Sequence, residues 1–392
     1  MSRILISGAS IAGPALASWL HRSGHDVTVV EKNDGIRPGG QAVDFKGTTH
    51  MKVLREMGIL DEHRRYDIRD GNAAIVDEHG RTIGVAPGGL GSGELNVPRD
   101  TIATVLYERT KHDVHYRFAD RITDLVDDGD GVTVTFRSGG TDRFDLVVGA
   151  DGVHSGVRRL VWGPEEQFVE HRGHHYVLAD LDLGDDDVVY SQPGMTVMLG
   201  GSKAPTFIVV AADRFPEARD DVDEQKRQVA GALRGGRWRI PEIVDRFPDA
   251  RSFYTDSISR VTVEQWSRGR VVLLGDSAWG NALSGYGTGL ALVGAYALAG
   301  ELRLTDGDVT TALREWEQRF RPYTAASHKV NAGALLAPTT ERGIRLRKLF
   351  FRAASVASPL VRLLDLPAKG LDLRRYEHAG ALPRGRAVQG GR

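Results

Sequence analysis

Three glycine-rich blocks carry the residue types that can handle a phosphorylated cofactor. The first is Gly8-Ala9-Ser10-Ile11-Ala12-Gly13, with Glu31 and Lys32 further along. The second is Asp151-Gly152-Val153-His154-Ser155-Gly156-Val157-Arg158. The third joins Gly275-Asp276-Ser277-Ala278-Trp279 to Ser284-Gly285-Tyr286-Gly287-Thr288-Gly289. In the first block Gly8 permits a tight turn, and Gly13 lets a following helix pack close to the strand before it. Backbone N–H groups at the start of that helix suit a diphosphate, because the helix dipole favours negative charge there. Glu31 can accept hydrogen bonds from ribose hydroxyls. Ser10 stands where the GxGxxG pattern has its second glycine; its hydroxyl can donate to phosphate, but it lets the backbone approach less freely. An ordinary βαβ turn without a ligand is the alternative, and Glu31 in the expected place favours a nucleotide.

These blocks need strands that end where they begin. Ile4-Leu5-Ile6 reads as a buried strand, Pro14 to Leu20 as a helix, and Val27 to Val30 as a second strand. Asp145 to Val148 and Arg270 to Leu274 are further apolar strands, so all three blocks are expected at strand carboxyl ends, where open α/β sheets bind ligands. Between them, a helix is expected from about Thr49 to Met57, stopped by Gly58, and a hairpin over 73–86 turning at His79-Gly80. A helix near Ile102 should take Asp100 as its N-cap, and 114–149 reads as a strand meander. Strand-like runs between His171 and Ala212, with another at 251–263, suit one antiparallel sheet. Helices are expected over Asp221–Arg234, Leu290–Leu304 and Thr310–Ala326. The basic amphipathic stretch 342–366 reads as a final helix pair packed on the nucleotide domain or a dimer partner, with peripheral membrane contact as the sharper alternative.

Composition narrows the function. The 392 residues have a formal net charge of -1, which favours neither nucleic acid nor an anionic membrane as partner. With no cysteine, disulfides, thiolate nucleophiles and iron–sulfur clusters are excluded. No apolar run is long enough to span a bilayer, and a strand begins almost at Met1, so no signal peptide and a cytoplasmic location are expected. Either a monomer or a homodimer is compatible.

Taken together and in this order, the blocks resemble the flavin-dependent aromatic hydroxylases, the family of para-hydroxybenzoate hydroxylase, over residues 3–330. The branches that hydroxylate polyketides or inactivate tetracyclines are the most similar. The resemblance implies an α/β fold: a Rossmann-like FAD-binding domain, an inserted antiparallel-sheet substrate domain and C-terminal helices. The expected partition is 1–72, 98–168 and 262–330 for FAD, 73–97 and 169–261 for substrate, and 331–392 as a helical tail.

Position by position, the resemblance implies that Gly8, Ser10, Ile11, Ala12 and Gly13 cradle the FAD diphosphate while Glu31 and Lys32 lie at the adenosine ribose. Arg37, Gln41 and Asp44 fall in the loop beside the isoalloxazine. Arg99 matches the FAD-contacting arginine, and Asp276 the aspartate that bonds the ribityl chain. Gly285, Gly287, Thr288 and Gly289 would offer backbone N–H groups to the flavin pyrimidine edge, which is anionic when reduced. Asp151 matches a dual-use aspartate near the diphosphate, or only caps the helix before Arg158; Arg158 itself is compatible with a structural ion pair. Two departures stand out. The prolines usual after the third block are replaced by Trp279-Gly280-Asn281-Ala282-Leu283, and Tyr286 replaces a glutamine or methionine.

The resemblance further implies that NADH or NADPH reduces FAD and that O2 adds to give a C4a-hydroperoxide, which hydroxylates a small aromatic or polyketide-like molecule. No catalytic side chain is then obligatory. Substrate contacts are expected from His174, Tyr176, Tyr190, Met198, Phe207 and Tyr286, with His174 and Tyr176 on one face of a strand and His175 on the other. The histidines have no carboxylate at ligand spacing, and no metal is expected. Baeyer–Villiger oxidation, epoxidation and a non-redox FAD-bound cyclase are the alternatives. A flavin halogenase is disfavoured, because Trp238-Arg239-Ile240-Pro241 matches only the second half of WxWxIP, with Gly236 at the first tryptophan.

Overall fold

In a computed structural model, the strands leading into the three blocks are neighbours. The structure describes residues 1–37, 39–68, 71–86, 93–184, 187–200, 206–215, 221–325, 327–356, 373 and 376. A six-stranded sheet runs in the spatial order Ser267–Arg268, Val271–Leu273, Leu146–Gly149, Arg3–Ser7, Asp26–Val30 and His115–Arg117. All pairs are parallel except the first, so the carboxyl ends of Leu273, Gly149 and Ser7 open on one edge. Ile4, Leu5 and Ile6 are at most 1% exposed. Burying each is worth about 1.5–3 kcal/mol, so this strand anchors the layer. Helices Ala12–Arg22 and Gly287–Leu304 pack together beside it, with Trp19 edge-on to Tyr296 at 4.9 Å.

The second large sheet has seven strands, in the order Phe253–Val261, Val169–Ala179, Thr206–Ala211, Met195–Leu199, Val188–Gln192, Ala73–Val76 and Thr82–Ala86. Its pairs are antiparallel except Val188–Gln192 with Ala73–Val76. Helices Val222–Ala232 and Ile240–Asp245 cover one face, with Val177, Ile208, Val210, Val229 and Ile243 in a single cluster. The opposite face carries Tyr176, Leu178, Phe207 and Val209. A two-stranded ribbon, Ala42–Phe45 with Leu95–Pro98, lies outside both large sheets.

Three expectations need correction. The 114–149 stretch is not one meander: His115–Arg117 and Leu146–Gly149 join the six-stranded sheet, and only Ile122–Asp127, Val132–Phe136 and Thr141–Phe144 form a separate antiparallel sheet. Asp100 is not an N-cap, because the strand ending at Pro98 runs directly into helix Arg99–Glu108; its carboxylate instead accepts from the Gly39 and Thr101 N–H groups. Helix Glu341–Val356 docks on the second sheet, where buried Arg347 donates to Ser191 Oγ and Thr196 Oγ1. Farther along, Tyr376 reaches helix Gly287–Leu304, donating from its hydroxyl to buried Glu301 at 3.0 Å. The rest of the 342–366 stretch lies outside the described residues. Among those residues, no helix is long and apolar enough to cross a membrane.

Candidate active site

The first block is close-packed backbone. A Cβ on Gly13 would stand 1.9 Å from the Gly8 carbonyl oxygen, and one on Gly8, at φ +109°, 2.4 Å from that of Ala150. Both positions therefore demand glycine. Helix Ala12–Arg22 starts without a side-chain cap, which leaves its end free for an anion. Ser10 is not idle: Arg99 donates to its hydroxyl at 2.8 Å, so the serine anchors an arginine that a glycine there would not hold. Glu31 accepts from the Ala9 N–H at 2.8 Å and from the Asn33 N–H at 3.0 Å, which fixes its carboxylate at the block. Lys32 beside it is exposed.

Ser277 stitches the second block to the third. Its hydroxyl accepts from the Gly152 N–H at 3.2 Å, and its carbonyl accepts from buried Arg158 at 2.9 Å. Asp151 takes the capping role left open by the sequence. It accepts from the Ser155 hydroxyl, from the Gly156 N–H at 2.8 Å and from the Val157 N–H at 3.1 Å, at the start of helix Gly156–Val161. The bonds of Arg158 run to the carbonyls of Ser277 and Val153.

Asp276 opens into the cleft between these blocks. Its surface is accessible, yet the surrounding protein desolvates it enough to raise its pKa, against the Arg99 charge and with help from Asp256. That combination marks a carboxylate lining a cleft rather than the outer surface. A Cβ on Gly275 would lie 3.3 Å from Ala12 Cβ and one on Gly287 3.5 Å from Asp276 Oδ1. Asp276 thus sits where two helix starts converge, and helix Gly287–Leu304 also lacks a side-chain cap. Gly289 packs on buried His50, whose Nδ1 accepts from the Lys46 N–H at 3.0 Å. Burial, then the Lys46 charge, hold that imidazole down to about 4, so it is neutral. Tyr286 stacks under the Lys46 ammonium, 5.1 Å from the ring centre.

The proline-free loop follows a path that proline would break. The Ala282 N–H donates to the Ser259 carbonyl at 3.0 Å and the Val261 N–H to the Gly280 carbonyl at 2.7 Å, so the loop lies against strand Phe253–Val261. Trp279 is buried against Trp266, Phe320 and Trp316 at ring distances of 4.6, 5.2 and 5.9 Å. Side chains of Ala282 and Leu283 meet the Tyr176–Phe207 face, joined by Met198 and Tyr254.

These features set the context for likeness to known proteins. A model of an FAD binding domain matches residues 1–305. A flavin-dependent monooxygenase of Legionella longbeachae is 32% identical over 342 residues, 83% of this chain and 87% of that protein. The FAD-dependent monooxygenase asL4 of Sarocladium schorii is 30% identical over 371 residues, 84% and 85% of the two chains. The chain belongs to the FAD-dependent monooxygenases. Among solved structures, tetracycline destructase Tet(51) overlays with a TM-score of 0.80 at 25% identity, covering 95% of this chain and 98% of that one. HpxO of Klebsiella pneumoniae, solved with FAD and uric acid, shares the fold at a TM-score of 0.69 and 22% identity, over 94% and 97%.

The substrate residues anticipated for this monooxygenase divide between two faces. Tyr176, Met198 and Phe207 share the face opposite the helices, as alternation required for the first of them and for His174. His174 is committed to packing there: its ring nitrogens lie 3.1 Å from the Arg172 carbonyl oxygen and 3.0 Å from that of Ala337. His175 points the other way and stacks on Phe215 at 3.7 Å. Tyr190 is a correction. It packs in the helix-covered cluster, 5.3 Å from Trp238, because that face of its strand is the one the helices bury. Asp44 is buried in the ribbon strand and accepts from the Gly93 N–H at 3.2 Å. Gln41 is half-buried at the start of that strand. Arg37 lies over the Tyr254 ring at 4.2 Å, at the edge of the aromatic face.

One polar chain escaped the sequence reading. Tyr254 donates to Asp256 at 3.0 Å, and His154 stands between Asp256 and Glu165 at 3.2 and 3.1 Å. Arg214 donates to Glu165 at 2.8 Å. His154 was visible as a variable position of the second block, but Asp256 lies 102 residues away and neither it nor Glu165 carries a motif.

Proposed function

We propose that the protein uses NADH or NADPH and O2 to hydroxylate a small aromatic or polyketide-like molecule seated on the Tyr176–Met198–Phe207 face. The observation that carries this reading is Asp276: a desolvated yet accessible carboxylate at the meeting of two uncapped helix starts, opening toward an aromatic wall. Multi-ring substrates are supported by the likeness to a tetracycline destructase. A cytoplasmic location goes with the cysteine-free composition.

The residues present fit FAD. Gly8 and Gly13 let the turn and helix Ala12–Arg22 pack backbone against backbone at the end of strand Arg3–Ser7, and the uncapped helix start there offers N–H donors that would take the diphosphate. In this reading Ser10, Ile11 and Ala12 complete that cradle, Glu31 and Lys32 hold the adenosine ribose, and Asp276 accepts from the ribityl hydroxyls. Arg99 pairs with both Ser10 and the field of Asp276; Arg37 and Gln41 flank the ring system. Gly285, Gly287, Thr288 and Gly289 present backbone N–H groups to its anionic edge, with Lys46 adding positive charge beside Gly285. Asp44 and Asp151 then act at one remove, by fixing the loops that touch the cofactor. Bound FAD supplies electron transfer from the nicotinamide and activation of oxygen. The chain orients the substrate against the aromatic face, and Ala282 and Leu283 shield that face from water.

The proposed division of labour follows sheet membership. Segments 1–72, 98–168 and 262–330 hold FAD, 73–97 and 169–261 hold substrate, and 331–392 form the tail, with Leu95–Pro98 pairing across the boundary to Ala42–Phe45. The decisive experiment is a screen of aromatic and polyketide substrates with purified yellow protein. NADPH or NADH consumption stimulated by a substrate that gains the mass of one oxygen supports the reading. Flavin that neither nucleotide reduces with any substrate overturns it in favour of a template role.

A further inference from the structure

We propose that the outer face of helix Glu341–Val356 is a docking surface for an anionic lipid bilayer. Arg342, Arg345, Leu346 and Leu349 stand at i, i+3, i+4 and i+7, so they share one side of the helix, and all four are exposed. Leu346 and Leu349 are 67% and 63% exposed, more than any other large apolar side chain among the described residues apart from Met1. Lys348 borders them, half-buried. One exposed leucine is ordinary on a protein surface. Two adjoining leucines rimmed by cations are the composition of a helix lying in a membrane interface, with apolar side chains among the acyl chains and cations at the headgroups.

This face is held outward. On the opposite side Ile344 is buried, and buried Arg347 donates to Ser191 Oγ at 2.6 Å, to Thr196 Oγ1 at 3.2 Å and to the Leu336 carbonyl. A rotation that hid the leucines would strip Arg347 of these bonds and leave a desolvated cation unpaired. The docked side also fixes what the bilayer lies near. Thr196 and Met198 are two residues apart in strand Met195–Leu199 and share a side, so the helix rests on the sheet face that carries Tyr176, Met198 and Phe207. Docking turns that side of the sheet toward the lipid, where apolar multi-ring molecules concentrate.

Charge selects a lipid surface over a second copy of the chain. The formal net charge is -1, so attraction must be local, within a Debye length of about 8 Å at physiological salt. Over 341–349 the helix has one acid, Glu341, against Arg342, Arg345, Arg347 and Lys348. A two-fold pairing of this face with itself sets cations against the same cations, whereas acidic headgroups neutralise them.

The test is flotation of full-length, flavin-loaded protein with vesicles of mixed phosphatidylglycerol and phosphatidylcholine, and with phosphatidylcholine alone. Wild type is expected to bind the mixed vesicles at least about tenfold more tightly than the neutral ones. Arg342→Gln combined with Arg345→Gln should weaken binding to the mixed vesicles about 30-fold, at the usual contribution of a basic residue beside an acidic surface. Leu346→Gln combined with Leu349→Gln should weaken it at least as much, and unchanged melting temperatures show that both variants fold. Wild type that stays unbound, or variants that float as well as wild type, overturn the proposal. So does a dimer that the leucine variant dissociates while no vesicle is bound. Oxygen consumption with NADH or NADPH, measured without vesicles, decides the proposed function independently of this result.

Discussion

The glycine cradle proposed for the cofactor and the aromatic face proposed for the substrate are built by opposite strategies. The cradle is local backbone: glycines at 8 and 13, helix starts at Ala12 and Gly287, and carboxylates within a few residues of the strands that aim them. The substrate face is assembled from distant strands, and its chemistry depends on register, as where Tyr176 stands opposite Asp256. One region tolerates almost no added atom, whereas the other is set by which side of a sheet the helices cover.

Substitutions can break that contrast in graded steps. The largest effect is expected from Gly13→Val, whose Cβ has no space beside the Gly8 carbonyl. It should cost about 3 kcal/mol or more and abolish FAD retention, read by thermal unfolding and bound-flavin absorbance. Asp276→Asn tests the cleft without disturbing packing. Loss of a charge-assisted hydrogen bond should weaken FAD about 10–100-fold by fluorescence titration. Because the folded pKa of Asp276 is raised, its ionised form disfavours folding as pH rises, so the apoprotein variant should melt no lower than wild type at neutral pH.

The two faces of the second sheet separate next. Met198→Ala should change KM for a turned-over substrate by about tenfold, as expected for a lost apolar contact. Tyr190→Phe, on the helix-covered face, should leave KM within about twofold. Equal effects from the two would erase the distinction between faces. The smallest effect concerns acid. Burial above all holds His50 and His175 down to about 4 from an ordinary 6.5. Their contribution to stability is fully present above about 6.5 and is lost as pH falls through 4, because the unfolded chain takes up protons first. His50→Gln should therefore flatten the fall in melting temperature across that window.

The cradle was legible because its requirements are local. A tight turn needs Gly8, a close helix needs Gly13, and an acidic residue must end the next strand; each condition is written within thirty residues of the first strand. Even there, local reading mistook Asp100 for a cap, since nothing in its neighbourhood announces that Gly39 is its partner. It also left Asp151 undecided until its bonds to Ser155, Gly156 and Val157 were seen. The missing loop prolines had no explanation from the sequence, but the Ala282 N–H bond to Ser259 and the Trp279 core account for them.

The sequence by itself determined the order of the three blocks, the strands that carry them and, through Asp276 and its glycine loop, the FAD-dependent family. Only the tertiary structure decided that Phe207 lies on the sheet face opposite the helices while Tyr190 lies beneath them, and that His154 bridges Asp256 and Glu165. The reason is physical. Backbone conformation and helix-end electrostatics act over a few residues, so residue spacing encodes them. Period-two alternation states which side chains share a face, but only packing across the sheet states which face is the inside.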